Sequence, residues 1–172
     1  IASGIFTGMR CGNRTVGIFA TGNRSTPGAF TPLQRELAAG IATMQVYENE
    51  DVIGHLYAQG ERLRAGVGAA VAEFELKDRF GLIGRPCSLL YFTRDGSGEP
   101  SQPFRTLFLQ ELLKRGVLAP SFIMSYSHQN ADIDRTIEVI RECLAVYRKA
   151  LNEGVERYLE GRPVKPVYRR FA

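Results

Sequence analysis

The segment from Arg115 to Ile140, RGVLAPSFIMSYSHQNADIDRTIEVI, constrains the fold of this chain more than any other. Its first part, Val117 to Ser125, is mostly apolar and predicts one or two strands. A helix then begins near Asn130, and Asp132 and Asp134 lie in its predicted first turn, where acidic side chains complement the helix dipole. A buried stripe follows at helical spacing: Ile133, Ile137, Ile140, Leu144, Tyr147 and Leu151. Strands and a long amphipathic helix therefore share one core.

Two further helices are predicted upstream. Thr31-Pro32 is a helix start, a capping hydroxyl followed by proline in the first turn, and Asn49-Glu50-Asp51 separates the first helix from the second. Apolar residues recur at helical spacing in both: Leu33, Leu37, Ile41, Met44 and Tyr47, then Val52, Leu56, Gly60, Leu63, Val67, Val71 and Phe74. Glycines inside these helices each cost about 1 kcal/mol relative to alanine. They indicate close approach of helices rather than a role in chemistry: Gly40, Gly60, Gly66 and Gly68.

Short apolar runs alternate with these helices. Phe80–Ile83 and Ser88–Phe92 flank a Gly-Arg-Pro sequence and predict a hairpin or adjacent strands. Ser101 caps a third helix, with a stripe of Phe104, Leu107, Phe108 and Leu112, that ends at Gly116. Val16–Ala20 predicts a strand near the start, and the tail after Gly161 is expected to lie extended. This order predicts an α+β sandwich, a small mostly antiparallel sheet with helices on one face.

Composition excludes several classes of protein. The 172 residues suffice for one domain, and 44% hydrophobic with 23% charged residues is ordinary for a soluble protein. No apolar run approaches the roughly 20 residues of a membrane span. The net charge of +4 is mild, and basic residues cluster only in the C-terminal tail, which argues against nucleic-acid binding. Three scattered cysteines and two histidines lack metal-ligand spacing and indicate a reduced, cytoplasmic setting.

Several short motifs occur in a characteristic order. Arg115-Gly-Val, Ala119-Pro-Ser, Ser127-His and Asp132-Ile-Asp-Arg-Thr follow one another, and Leu37-Ala-Ala-Gly-Ile-Ala-Thr-Met begins the upstream match. This order resembles the C-terminal part of class III aminotransferases that depend on pyridoxal 5'-phosphate (PLP). The branch most similar in these motifs is that of glutamate-1-semialdehyde 2,1-aminomutases.

The resemblance implies a fold, an organisation and an activity. Residues 31–172 would be connecting helices and the small C-terminal domain of a fold-type I PLP enzyme. Residues 1–30 would be a remnant of the large cofactor-binding domain. The complete protein is expected to move an amino group between an amine or amino acid and a carbonyl substrate. It would be a homodimer with the cofactor site at the subunit interface.

The same resemblance implies the cofactor contacts. The phosphate-contacting loop corresponds to residues 26–31, so Thr26 and Gly28 are the predicted cofactor-binding residues, and Thr21 is an alternative hydroxyl. A hydroxyl with exposed backbone amides suits a phosphate. Ile1-Ala2-Ser3-Gly4 resembles the sequence just after the family's Schiff-base lysine. The chain is therefore expected to lack that lysine and to be inactive alone.

Other candidate residues favour structural roles. The four lysines, Lys77, Lys114, Lys149 and Lys165, lie outside the family's lysine context. His128 is expected to flank a helix rather than act as a base, and His55 to be solvated. Ser125 and Ser127 are expected to alternate on a short strand, where one could line an active-site mouth. Ser127 and His128 would point to opposite faces of that strand, which excludes a nucleophile–base pair. The alternative function is a non-catalytic dimerising or interaction module derived from such an enzyme.

Overall fold

The computed structural model describes residues 3–11, 14–23 and 32–165, and the side chains from residue 36 onward. The elements in chain order are β1 (Ser3–Cys11), β2 (Arg14–Asn23), α1 (Pro32–Asn49), α2 (Val52–Glu73), β3 (Phe80–Arg85), β4 (Ser88–Thr93), α3 (Gln102–Lys114), β5 (Phe122–Ile123), α4 (Asn130–Glu153) and a 3₁₀ turn (Val155–Arg157). They form two compact units. The first unit comprises Ile1–Leu56 with Tyr126–His128, and the second comprises Tyr57–Ser125 with Gln129–Ala172. The predicted division at residues 30 and 31 stays a prediction.

The first unit contains a hairpin and a helix. β1 and β2 pair antiparallel from Ser3 opposite Asn23 to Cys11 opposite Arg14. The predicted strand at residues 16–20 lies within β2, whereas β1 was not predicted. α1 confirms the first predicted helix, although its predicted cap, Thr31, lies outside the described residues. Its apolar stripe is largely exposed, at Leu37, Ile41, Met44 and Tyr47.

The second unit is built on a three-stranded antiparallel sheet in the order β3-β4-β5. The predicted hairpin is confirmed, with Phe80 opposite Thr93 and Arg85 opposite Ser88. Gly84 has φ of +104°, a conformation that favours glycine. The strand structure predicted for residues 117–125 is longer than the strand observed, because only Phe122–Ile123 pairs with β4. Pro120 has no N–H to donate to a ladder, so regular pairing cannot extend through it.

Helices cover one face of this sheet, which confirms the predicted α+β class. Leu89 and Tyr91 of β4 are buried, and the ring of Phe80 lies 4.7 Å from that of Phe108. The predicted stripe of α3 is buried in full. In α4 the stripe is buried except for half-buried Ile137 and Leu151. The buried surface of α4 is wider than the predicted stripe, because three more residues of this helix are buried: Val139, Cys143 and Ala150.

Helix ends follow the predicted capping chemistry with one exception. The Ser101 hydroxyl accepts a hydrogen bond from the Phe104 N–H at 3.4 Å, as an N-cap does. At α4, the Asp132 carboxylate accepts from the Gln129 N–H at 2.9 Å. Asp134 was wrongly placed in the first turn of α4, because the helix begins at Asn130 and only Asp132 lies in that turn.

Of the four helical glycines, Gly66 permits close approach of another helix, α4, as predicted, whereas Gly60 permits close approach of a turn. A Cβ at Gly60 would lie 1.9 Å from the Pro86 carbonyl oxygen, and one at Gly66 would lie 2.5 Å from Ile137 Cδ1. Gly40 and Gly68 have nothing within 4 Å of that position, so they do not serve this purpose. Gly60 thus lets α2 contact the backbone of the β3–β4 turn directly.

The segment after α4 lies against α3. The Gln110 amide donates to the Tyr158 carbonyl at 2.8 Å and accepts from the Glu160 N–H at 2.9 Å. The Val164 N–H donates to the Thr106 hydroxyl at 2.8 Å. Residues 162–165 form no regular secondary structure, and the extended conformation predicted for the tail stays a prediction, with residues 166–172 outside the described residues.

Candidate functional site

The junction between α1 and α2 fixes the position of a histidine. The Asp51 carboxylate accepts a hydrogen bond from the Gly54 N–H at 3.0 Å, which satisfies a backbone donor at the start of α2. Val46 accepts from the Glu50 N–H at the end of α1. Both helix ends are therefore ordered, and His55 lies in the first turn of α2.

Four residues of the first unit form what we call the Tyr126 cluster: Glu50, His55, Tyr126 and His128. The Tyr126 hydroxyl donates to the Glu50 carboxylate. His55 Nε2 lies 2.8 Å from the His128 carbonyl oxygen. The His55 and Tyr126 rings meet edge to face, with centroids 5.1 Å apart and planes at 78°. Two residues of the α1–α2 region thus hold the turn at residues 126–128.

The hydrogen bonds of the Tyr126 cluster assign its protons. A backbone carbonyl can only accept, so Nε2 of His55 carries a hydrogen. The phenol hydrogen of Tyr126 is directed to Glu50, because an ionised carboxylate is an acceptor. The cluster can orient a polar group, and it contains no serine, threonine or cysteine nucleophile.

Two expectations about this region were wrong. His55 is half-buried and bonded within the cluster rather than solvated. Ser125 and Ser127 lie in a loop and turn, not on a strand, since β5 ends at Ile123. Sequence gave no signal for the cluster, because its partners are more than 70 positions apart along the chain. His128 does flank a helix, as predicted.

Polar contacts in the second unit fix the start of α4 on α2. The Gln59 amide donates to the Asn130 side-chain oxygen at 2.9 Å, and Gln59 is buried. Arg62 binds Asp134 through two hydrogen bonds of 2.6 and 2.8 Å. Hydrogen bonding to Arg62 lowers the pKa of Asp134. Asp134 therefore serves as an ion-pair partner of α2.

Two nucleophilic side chains of the described residues, Cys143 and Lys114, are held in unreactive forms. Burial raises the pKa of the Cys143 thiol to about 12, so the reactive thiolate is absent at neutral pH. Hydrogen bonds that Lys114 donates to the carboxylates of Glu160 and Glu111 raise the pKa of Lys114, which keeps its amine protonated. No group of three or more His, Cys, Asp or Glu side chains in this part of the chain could hold a metal ion.

The predicted phosphate loop is not tested by this geometry. Thr26 and Gly28 lie outside the described residues. Thr21 lies in β2, opposite Ile5, and its side chain is not among those described. The assignment of these residues to the cofactor phosphate stays a prediction. Among helices that the structure describes, none is long and apolar enough to span a membrane.

Two curated proteins are similar in sequence. The chain is 29% identical over 160 aligned positions to a glutamate-1-semialdehyde 2,1-aminomutase of Halobacterium salinarum, covering 72% of this chain and 36% of the relative. It is 27% identical over 126 positions to a 3-aminobutyryl-CoA aminotransferase of Cloacimonas acidaminovorans, covering 71% and 30%. The chain therefore spans about a third of the length of these relatives. No family model matches it.

Solved structures share the fold. One is the PLP internal aldimine form of the FumI protein of Sphingopyxis sp. MTA144, with a TM-score of 0.57 and 23% identity over 68% of this chain and 28% of that one. Another is an omega-transaminase from Sphaerobacter thermophilus, with a TM-score of 0.57 and 17% identity over 72% and 30%. Sequence and fold together confirm that this chain resembles part of the class III PLP-dependent aminotransferases and aminomutases.

Proposed function

We propose that this chain is part of a longer PLP-dependent aminotransferase or aminomutase that moves an amino group between an amine or amino acid and a carbonyl substrate. The observation that carries the proposal is the similarity to the Halobacterium aminomutase across 72% of the chain. The second relative is named an aminotransferase, which supports the same reaction class. We place the longer protein in the cytoplasm as a homodimer whose cofactor site lies at the subunit interface.

PLP supplies an electron sink, and the protein supplies binding, orientation and electrostatics. Lys114 is paired with Glu111 and Glu160, and none of the lysines in this chain lies in the sequence context of the family's Schiff-base lysine. We therefore assign the Schiff-base lysine to sequence preceding Ile1. Thr26 and Gly28 are proposed to contact the cofactor phosphate.

We propose that the Tyr126 cluster borders the substrate entrance. Its hydrogen bonds fix the turn at residues 126–128, so the neighbouring serines Ser125 and Ser127 are held in place. A fixed loop of small polar residues can orient a polar substrate, because the loop is already ordered before the substrate binds. The turn would then select substrates by their polar end, and Tyr126→Phe should raise KM for the amine more than it lowers kcat.

The first test concerns the gene. A reading frame continuous with Ile1 should encode a cofactor domain with a lysine one or two residues upstream. The longer protein should bind PLP covalently and consume an amine donor, and replacing that lysine with alanine should abolish both. A start codon close to Ile1, with no such domain, would overturn the proposal.

The second test uses the 172-residue chain alone. Mixed with PLP and reduced with borohydride, it should carry no adduct at any specific lysine by mass spectrometry. A specific adduct at Lys77, Lys114, Lys149 or Lys165 would contradict the assignment of the covalent site to upstream sequence.

The phosphate contact has its own variants in the longer protein. Thr26→Ala should weaken PLP affinity about ten- to a hundredfold, because a charge-assisted hydrogen bond contributes roughly 1.5–3 kcal/mol. Thr26→Ser should retain the affinity, since the hydroxyl remains. Weaker PLP binding in Thr21→Ala, with PLP affinity unchanged in Thr26→Ala, would assign the phosphate contact to Thr21. No change in either variant would remove the loop from the cofactor site.

A non-catalytic dimerising module is the second candidate, favoured by the exposed apolar stripe of α1 at Leu37, Ile41 and Met44. Contiguous exposed apolar surface is typical of interaction sites. Sedimentation of the 172-residue chain separates the two proposals. A dimer that Met44→Glu dissociates, together with a start codon near Ile1, would support the module.

A further inference from the structure

An open groove lies in the second unit between the C-terminal half of α2 and the β3–β4 hairpin. Its volume is about 650 Å³, within the range of roughly 300–1,000 Å³ that small-molecule sites occupy. The wall is mostly apolar: Val67, Val71, Phe80, Leu82 and Phe92. Gly68 of α2 also lines it and presents no side chain there.

A glycine shapes the opposite wall. A Cβ at Gly81 would come within 2.6 Å of the Phe92 ring, so the ring lies against bare backbone of the neighbouring strand. The Arg94 guanidinium stands 5.6 Å from the centre of the same ring. An aromatic surface is thereby held beside the groove in a fixed position.

The charged side chains that line the groove differ in whether they form ion pairs. Arg64 is bonded to the Gly84 carbonyl and to Glu61, and Glu75 is bonded to Arg148. Lys77 forms no ion pair with any described side chain. Among the charged side chains that line the groove, Lys77 is therefore the one without an ion-pair partner in the described residues, and its charge is positive.

We propose that this groove binds a small amphipathic carboxylate, with the apolar body against Val71, Leu82 and Phe92 and the carboxylate at Lys77. Burial of the apolar body provides most of the driving force. The Lys77 amine selects the anion, because an unpaired ammonium gains a partner without breaking an existing ion pair. The inference does not rest on the proposed PLP activity.

Octanoate is the probe, titrated calorimetrically into the 172-residue chain. We expect saturable binding at one site, with 1-octanol and octylamine binding more weakly. Gly68→Leu should reduce octanoate affinity at least about tenfold, because the leucine occupies the space that the ligand needs. Gly40→Leu is the matched control, a helical glycine with equally open surroundings, and should leave binding unchanged.

A second variant pair tests the charge. Lys77→Gln should weaken octanoate binding about fivefold, the upper range for an exposed ion pair, and should not alter 1-octanol binding. Lys149→Gln removes another exposed lysine and should change neither. The absence of saturable binding, equal affinity for octanoate and 1-octanol, or unchanged binding in Gly68→Leu would each overturn the proposal. A dimer that Gly68→Leu converts to a monomer would instead identify the groove as an interface between copies.

Discussion

Helices α1 and α4 carry similarly periodic apolar residues, yet the two are packed differently. In α4, Ile133, Leu144 and Tyr147 are at most 3% exposed. In α1, Leu37 and Met44 are 57% and 66% exposed. Periodicity sets where a helix forms and which side is apolar, whereas burial depends on elements elsewhere in the sequence that cover that side. The comparison separates a folded core from a surface that remains open in the described residues.

The strongest test of this difference uses two leucines. Leu144→Ala should lower the free energy of unfolding by about 2–5 kcal/mol, because it leaves a cavity in a fully buried position. Leu37→Ala should change it by less than about 0.5 kcal/mol, as exposed substitutions do. Urea denaturation measures both.

A control on the same helix is Glu142→Ala. Its carboxylate pairs with Arg115 at 2.7 Å but is 56% exposed, so its loss should cost at most about 1 kcal/mol. Equal midpoints for Leu144→Ala and Glu142→Ala would mean that the register of α4 is wrong. Equal costs for Leu144→Ala and Leu37→Ala would mean that α1 is buried in solution.

Two glycines sharpen the comparison, because the same substitution should act with opposite sign. Gly60→Ala should destabilise by about 1–3 kcal/mol, since its Cβ meets the Pro86 backbone. Gly40→Ala should stabilise by about 0.5–1 kcal/mol through helix propensity. Thermal denaturation gives the two signs directly, and stabilisation by Gly60→Ala would refute the close contact of α2 with the β3–β4 turn.

A pH effect is expected from Glu111, a buried carboxylate of α3. Burial alone would raise its pKa, but hydrogen bonds from Arg115, Lys114 and Gln110 lower it below the ordinary value of 4.5. The stabilisation is therefore complete above that value and is lost as the pH falls through the folded-state pKa. Glu111→Gln should cost about 1–2 kcal/mol at neutral pH.

The slope of stability against pH is the measurement. Between about pH 5 and pH 3, the unmodified protein should lose stability more steeply than Glu111→Gln. Glu36→Gln is the control. It removes one negative charge at an exposed position of α1 and leaves the buried hydrogen bonds of Glu111 in place. Parallel slopes for Glu111→Gln and the unmodified protein would show that the carboxylate is not stabilised in the fold.

Elements with local signals were predictable from sequence. The Ser101 cap, the β3–β4 hairpin and the start of α4 each depend on residues a few positions apart. β1 escaped prediction because its SGIFTGMRC sequence contains two glycines and little apolar alternation. The extent of β5 was overestimated, since an apolar run indicates a strand without specifying how much of it finds a partner.

The candidate site was harder to predict for the same reason. Tyr126 and Glu50 are 76 positions apart, and His55 and His128 are 73 apart. No spacing rule links such residues, and local sequence therefore predicts a solvated surface histidine at position 55. The resemblance located the relevant stretch of chain, whereas the hydrogen-bond partners required coordinates.

The attachment of the C-terminal segment to α3 has a consequence for solution measurements. Glu160 and Val164 lie outside regular secondary structure, yet their amide hydrogens are bonded to the side chains of Gln110 and Thr106. Their hydrogen–deuterium exchange should be slower than that of other amides in the segment, at a rate set by detachment from α3. Each amide would report on one side chain, and Gln110→Ala should accelerate exchange at Glu160 while Thr106→Val accelerates it at Val164. The segment after α4 thus becomes a site-specific probe of whether α3 is folded.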